Sequence, residues 1–181
     1  VVLHANQAGD AFWNAAPTVT QTITVTKAAA TVTLGNLTQT YDGNPRTPTT
    51  LTGPTGLTVD LTYNGSTNAP VNVGGYAVTG TVNDAMWQGV GTGTLSIVKA
   101  DQAITFAAIA PQVTTNVIGL AGTASSGLAV TFEVTDGAAS ITGGTNLTFS
   151  GPGNVSITAS QAGNANWNAA SNVTRTFAVS K

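Results

Sequence analysis

Apolar and polar residues alternate one by one through much of the chain, as in TVTQTITVT, GLTVDLTY, GYAVTGTV, NVSITAS and NVTRTFAVS. A period of two sends successive side chains to opposite faces, so each stretch predicts a strand with one buried face and an outward row of threonine. Gly, Pro, Asn-Gly and Asp-Gly clusters separate these stretches and predict the turns between them. Helical periodicity is absent, and the glycine and β-branched content opposes helices. The class is all-β. Strands at a spacing of about 8–12 residues fit small immunoglobulin-like sandwiches, because a single sheet leaves one apolar face in water.

The chain also repeats itself. Residues 1–27 align without a gap with residues 155–181, so that Val1 meets Val155, Trp13 meets Trp167 and Lys27 meets Lys181, and 15 of the 27 pairs are identical. Self-similarity at a fixed offset is the signature of a modular array. Residues 1–27 therefore read as the C-terminal strands of a preceding immunoglobulin-like repeat. Two strands do not make an independent core, so the expected partners are neighbouring repeats. The missing strands lie either upstream in one long polypeptide or in a second subunit that accepts residues 1–27 by strand donation, which builds a homopolymeric fibre.

A tryptophan loop occurs three times, as DAFWNA from Asp10, DAMWQG from Asp84 and NANWNA from Asn164, and each precedes a last strand that ends in Lys27, Lys99 or Lys181. This divides residues 28–181 into two unlike modules, 28–99 and 100–181, that share one terminal hairpin design. Tyr41, Tyr63 and Tyr76 all fall in the first, and Phe106, Phe132, Phe149 and Phe177 all fall in the second. Trp13, Trp87 and Trp167 are expected to plug the ends of the cores, each burying about 200 Å². In the alternative they are platforms on which sugars stack. Phe12 stands where the later copy has Asn166, so that position is expected outside the core. The junctions at Lys27 and Lys99 carry no Gly/Ser or Pro-rich spacer, which predicts modules stacked as a rod or filament.

Composition narrows the function. Charged residues are 7% of the chain, the formal net charge is -2 and there is no cysteine. The five cations are scattered singly, without the basic footprint that nucleic acid requires. No apolar run approaches the roughly 18 residues of a membrane span. His4 is the single imidazole and Glu133 the single glutamate; no nucleophile–base or metal-ligand spacing is present, so no catalytic residue, metal site or cofactor is expected. Asp42-Gly43 and Asp136-Gly137 read as turns, and GVGTGTL from Gly89 lacks the helix and lysine of a phosphate loop. Asn36, Asn64, Asn146, Asn154 and Asn172 open Asn-x-Ser/Thr triplets that chance explains in so Asn- and Thr-rich a chain. Lys27, Lys99 and Lys181 suggest strand-edge caps in preference to isopeptide donors, since Glu133 serves one module only. The nearly neutral surface also favours lateral packing of fibres.

The motifs QTYDGNP, LTVDLTYNGS, APVNVGGYAVTGTVND and GTGTLSIVKA together resemble the MBG domain family of large bacterial surface and secreted proteins, over nearly all of residues 28–99. A β-grasp variant is the alternative to a sandwich for this module. Residues 100–181, with QAITFAAI, ASSGLAVTFEV and ASQAGNANWNAA, are similar to bacterial immunoglobulin-like repeats. The departure from both is tryptophan in the loops where tyrosine is more usual. The resemblance implies an extracellular, cell-surface stalk, adhesin or filament without catalysis, with a cell-surface or glycan partner. The alternative is a carbohydrate-binding module built on Trp13, Trp87 or Trp167.

Overall fold

A computed structural model describes residues 1–181, and none of them is helical. The strands are β1 (Val2–Gln7), β2 (Ala16–Thr22), β3 (Ala28–Ala29), β4 (Thr31–Gly35), β5 (Thr38–Thr40), β6 (Thr49–Gly53), β7 (Val59–Tyr63), β8 (Gly74–Val82), β9 (Trp87–Gln88) and β10 (Val90–Val98). They continue as β11 (Ile104–Phe106), β12 (Gln112–Val113), β13 (Val117–Gly119), β14 (Gly122–Ala124), β15 (Thr131–Asp136), β16 (Ala139–Thr142), β17 (Asn146–Phe149), β18 (Gly153–Ser160) and β19 (Val173–Ser180). The molecule is an all-β protein of the sandwich type, as the alternation predicts.

The chain forms two compact units. One holds Val1–Gly35, Pro48–Asn68 and Ala77–Gly93, and the other holds Asn36–Thr47, Ala69–Tyr76 and Thr94–Lys181. The units do not follow the two sequence modules, because strands β8 and β10 each pass from one unit to the other.

In the first unit β1 and β2 form an antiparallel ribbon, β4 pairs with β6 from Thr31↔Gly53 to Gly35↔Thr49, and β7 pairs with β8 from Val59↔Val82 to Tyr63↔Val78. The β7–β8 hairpin turns on Asn64 and Gly65, both at positive φ, with Tyr63 and Ser66 exchanging two backbone hydrogen bonds. That is the two-residue turn whose twist matches a hairpin, and Asn-Gly is its favoured sequence. Asn64 Oδ1 also accepts the Ala77 N–H at 2.9 Å. Tyr63, Val78 and Val82 are buried, and Gly80 leaves room for Leu34 of β4 as well as Val59 and Leu61 of β7. The buried hydroxyl of Thr52 is satisfied by the Leu57 N–H at 3.3 Å.

The second unit contains the larger core. Strands β12, β19, β18 and β15 make one sheet in that order, β13, β17 and β16 a second, and β11 with β14 a third piece. Ile104, Phe106, Leu120, Leu147, Val155, Ile157, Ala159, Phe177 and Val179 pack together between them. Alternation explains the selection: Val155, Ile157 and Ala159 point inward on β18, while Ser156 and Thr158 point outward and hydrogen-bond Thr176 and Thr174 at 2.8 Å. The outer face is thus a ladder of paired hydroxyls, a cross-strand contact suited to threonine. Arg175 donates through Nε and Nη2 to the Phe106 carbonyl at 2.9 and 2.7 Å, which satisfies that backbone acceptor.

Candidate functional site

The three tryptophan loops are built alike. The side-chain oxygen at the first position of each accepts two backbone N–H groups: Asp10 Oδ1 from Phe12 and Trp13, Asp84 Oδ1 from Met86 and Trp87, and Asn164 Oδ1 from Asn166 and Trp167, at 2.7–3.0 Å. Asp and Asn are suited to this task because their short side chains bridge to the amides two residues on. Gly9 and Gly163 precede the first and third loops at positive φ, and a Cβ there would collide with the carbonyls of Trp13 and Trp167. These contacts explain why the Asp/Asn-Ala-x-Trp pattern recurs in all three loops.

What each loop meets differs. In the first unit, the chain leaving Lys27 runs parallel to the Trp87 loop, with Ala28 paired to Trp87 and Ala29 to Gln88. Ala28 and Ala30 donate to the carbonyls of Met86 and Gln88 at 2.8 Å, and Lys27 Nζ donates to the Asp84 carbonyl at 2.6 Å. Gly89 and Gly91 allow this approach, because a Cβ at either would strike the backbone of Ala30 or Val32. The glycines that superficially suggest a phosphate loop serve backbone contact.

In the second unit the same arrangement recurs between Lys99–Ala100 and the Asn164 loop. Lys99 Nζ donates to the Asn164 carbonyl at 2.7 Å, Ala100 donates to Asn166 O at 3.1 Å, and Asn168 donates to Ala100 O at 2.9 Å. Ala100 bridges to Trp167 in parallel, as Ala28 does to Trp87. Further contacts surround it. The Trp167 and Tyr41 rings meet edge to face at 5.7 Å and 84°. Asn166 Oδ1 accepts the Val73 N–H at 3.0 Å while its Nδ2 donates to Asn72 Oδ1 at 3.0 Å. Gln102 Nε2 donates to the Asn168 carbonyl at 2.7 Å, and Asn168 Nδ2 donates to Asp101 Oδ1 at 2.8 Å.

Trp87 and Trp167 are half-buried in these joints, and Trp13 is 75% exposed. Phe12 is also on the surface, whereas Asn166, its counterpart, is a bridging residue. The amines of Lys27 and Lys99 are engaged by loop carbonyls, a role that edge capping does not describe, and Lys181 is exposed. His4 lies outward on β1 and faces the Thr20 hydroxyl at 3.2 Å. Glu133 is exposed on β15. A concavity of about 370 Å³ is lined by Ala129, Thr131, Ser160, Gln161, Ala162, Ala169, Ala170 and Asn172, with no aromatic ring against which a sugar could stack.

Near the Trp167 joint, Asp42 and Arg46 form an ion pair at 2.7 Å, and Arg46 Nη2 donates to the Thr40 carbonyl. The Asn44 backbone N–H holds the Asp42 carboxyl below its ordinary range, with Arg46 contributing in the same direction. Burial pushes the Tyr63 phenol up.

Sequence reasoning located the tryptophans and the lysines but missed Asn166, Tyr41 and Asn72 as members of one cluster. The available signal was the exchange of Phe12 for Asn166, a polar residue placed beside an otherwise preserved tryptophan.

The fold and the loops define an all-β chain in which Ala28 pairs in parallel with Trp87 and Ala100 with Trp167. Residues 30–101 match the family model described as the MBG domain, in agreement with the resemblance carried by residues 28–99. No curated protein matches the chain.

Proposed function

We propose that this chain is a structural segment of a bacterial extracellular stalk, adhesin or filament, in which each tryptophan loop latches onto the lysine end of the preceding module. The observation that carries the reading is the repeated joint: Lys27–Ala28 against the Asp84–Trp87 loop, and Lys99–Ala100 against the Asn164–Trp167 loop. A binding or catalytic site has no need to recur at successive junctions, whereas a load transmitted along a chain meets every junction in turn. The MBG domain is associated with bacterial surface proteins, which supports an extracellular, non-catalytic role. Neighbouring repeats are the partners in this reading, and the neutral threonine-rich exterior favours their lateral packing.

Single-molecule stretching tests the latch. Trp167→Ala and Asn166→Ala are expected to lower the force at which the second unit first yields, with Phe12→Ala as an inert control. Unchanged force curves in both joint variants would sink the reading.

A carbohydrate-binding module remains the second reading, favoured by one observation: the adjacent Phe12 and Trp13 rings are 91% and 75% exposed. It expects soluble polysaccharide to shift tryptophan emission, and Trp13→Ala to abolish the shift. The stalk reading expects no response.

A further inference from the structure

The β1–β2 ribbon has the same register as β18–β19. Val2 pairs with Thr22, Leu3 with Gln21, His4 with Thr20 and Ala5 with Val19, which reproduces Ser156↔Thr176, Ile157↔Arg175, Thr158↔Thr174 and Ala159↔Val173 position by position. The surroundings are opposite. Ile157 is 0% exposed and its counterpart Leu3 is 51% exposed, while Val179 is 4% and its counterpart Val25 is 81%. No residue of β1 or β2 is buried. Val1, Leu3, Ala5, Val19, Ile23 and Val25 thus occupy the core-forming positions of a hairpin that has no core.

The second unit shows what covers such a face. Val155, Ile157, Phe177 and Val179 are packed by Ile104, Phe106, Leu120 and Leu147, all within residues 100–154. Arg175, on the same inner face, donates to the Phe106 carbonyl. Gln21 stands in the Arg175 position. Its amide carries one donor group in place of the guanidinium fork and suits a single hydrogen bond to the same carbonyl.

Resting on the modular reading above, we infer that the apolar face of β1–β2 is a docking surface for a further copy of the strand set in residues 100–154, which closes over it as it closes over β18–β19. The occupant is specified by shape and register, since Leu3 and Ile23 fill the sites of Ile157 and Phe177. The residues His4 and Thr20 stay on the outer face, as Thr158 and Thr174 do.

The probe is a fluorescein-labelled peptide of residues 100–154, titrated with the full chain and followed by anisotropy. Saturable binding at one peptide per chain is expected, weakened at least tenfold by Leu3→Asp or Ile23→Asp. A flat titration overturns the inference. Binding that Leu3→Asp leaves unchanged also overturns it, because the peptide has then exchanged at β18–β19. Self-association of the chain that Leu3→Asp abolishes, with no uptake of peptide, names a second ribbon as the occupant and overturns it equally.

Should the peptide precipitate, the same segment joined ahead of residue 1 gives a second measurement. Amides of β1 and β2 are expected to exchange as slowly as those of β18 and β19, and unchanged exchange rejects the inference. Leu3 and Ile23 lie outside both joints, so either failure leaves the stretching experiment on Trp167 to judge the stalk reading independently.

Discussion

Asn166 shows how much depends on one side chain. It bonds both Val73 and Asn72, so Asn166→Ala removes two hydrogen bonds and is expected to lower stability by about 1–3 kcal/mol. Trp167→Ala is expected to remove about 1–3 kcal/mol, less than the loss of a fully buried ring, because the indole is half-buried against Tyr41. Thermal unfolding measures both. Two titrations belong to this scale. A carboxyl with a lowered folded pKa contributes stability above its unfolded value and loses it as pH falls through the folded value. The Asp42 contribution is therefore expected to fade below about pH 4 and to be absent in Asp42→Asn. Tyr63 has the opposite sign: its contribution is complete below the ordinary phenol value of about 10 and is lost as pH rises through the raised one. Phenolate absorbance should accordingly show a step above the ordinary phenol value that Tyr63→Phe removes.

Two hairpins related by the repeat behave differently as elements. Ile157→Ala on β18 opens a cavity in a closed core and is expected to cost about 2–5 kcal/mol. Leu3→Ala, at the matching position of β1, is expected to stay within about 0.5 kcal/mol of the parent, because Leu3 is 51% exposed in a ribbon that has no buried residue. Urea unfolding of the two variants side by side checks this. Equal losses would mean that the ribbon is covered in solution. Strand β10 makes a separate point. Its Gly91 admits the Val32 backbone, and Gly91→Ala is expected to destabilise by about 1–3 kcal/mol through overpacking. Much of the element level was legible beforehand. The alternating stretches became strands, and Asn64-Gly65 became a hairpin turn, because both depend on residues adjacent in sequence. The two-residue strands β3 and β9 were not legible, since each exists only by pairing with the other across the chain.

For the whole molecule, few charges mean little long-range repulsion and little to screen. Any self-association seen by sedimentation is therefore expected to change little between low and molar salt; a steep dependence would point to ion pairs that the 7% charged content hardly supplies. Sequence by itself determined the all-β class, the offset repeat, the recurring Asx-turn loop and the absence of a nucleophile–base or metal-ligand pattern, because each rests on local periodicity or residue supply. Only the tertiary structure decided that Lys27 reaches a carbonyl 57 residues away and Lys99 one 65 residues away, that Trp167 meets Tyr41, and that Leu3 and Ile157 differ in burial although they occupy matching positions of the repeat. The reason is physical. Alternation tells which face of a strand is apolar, but what covers that face is set by chain segments distant in sequence.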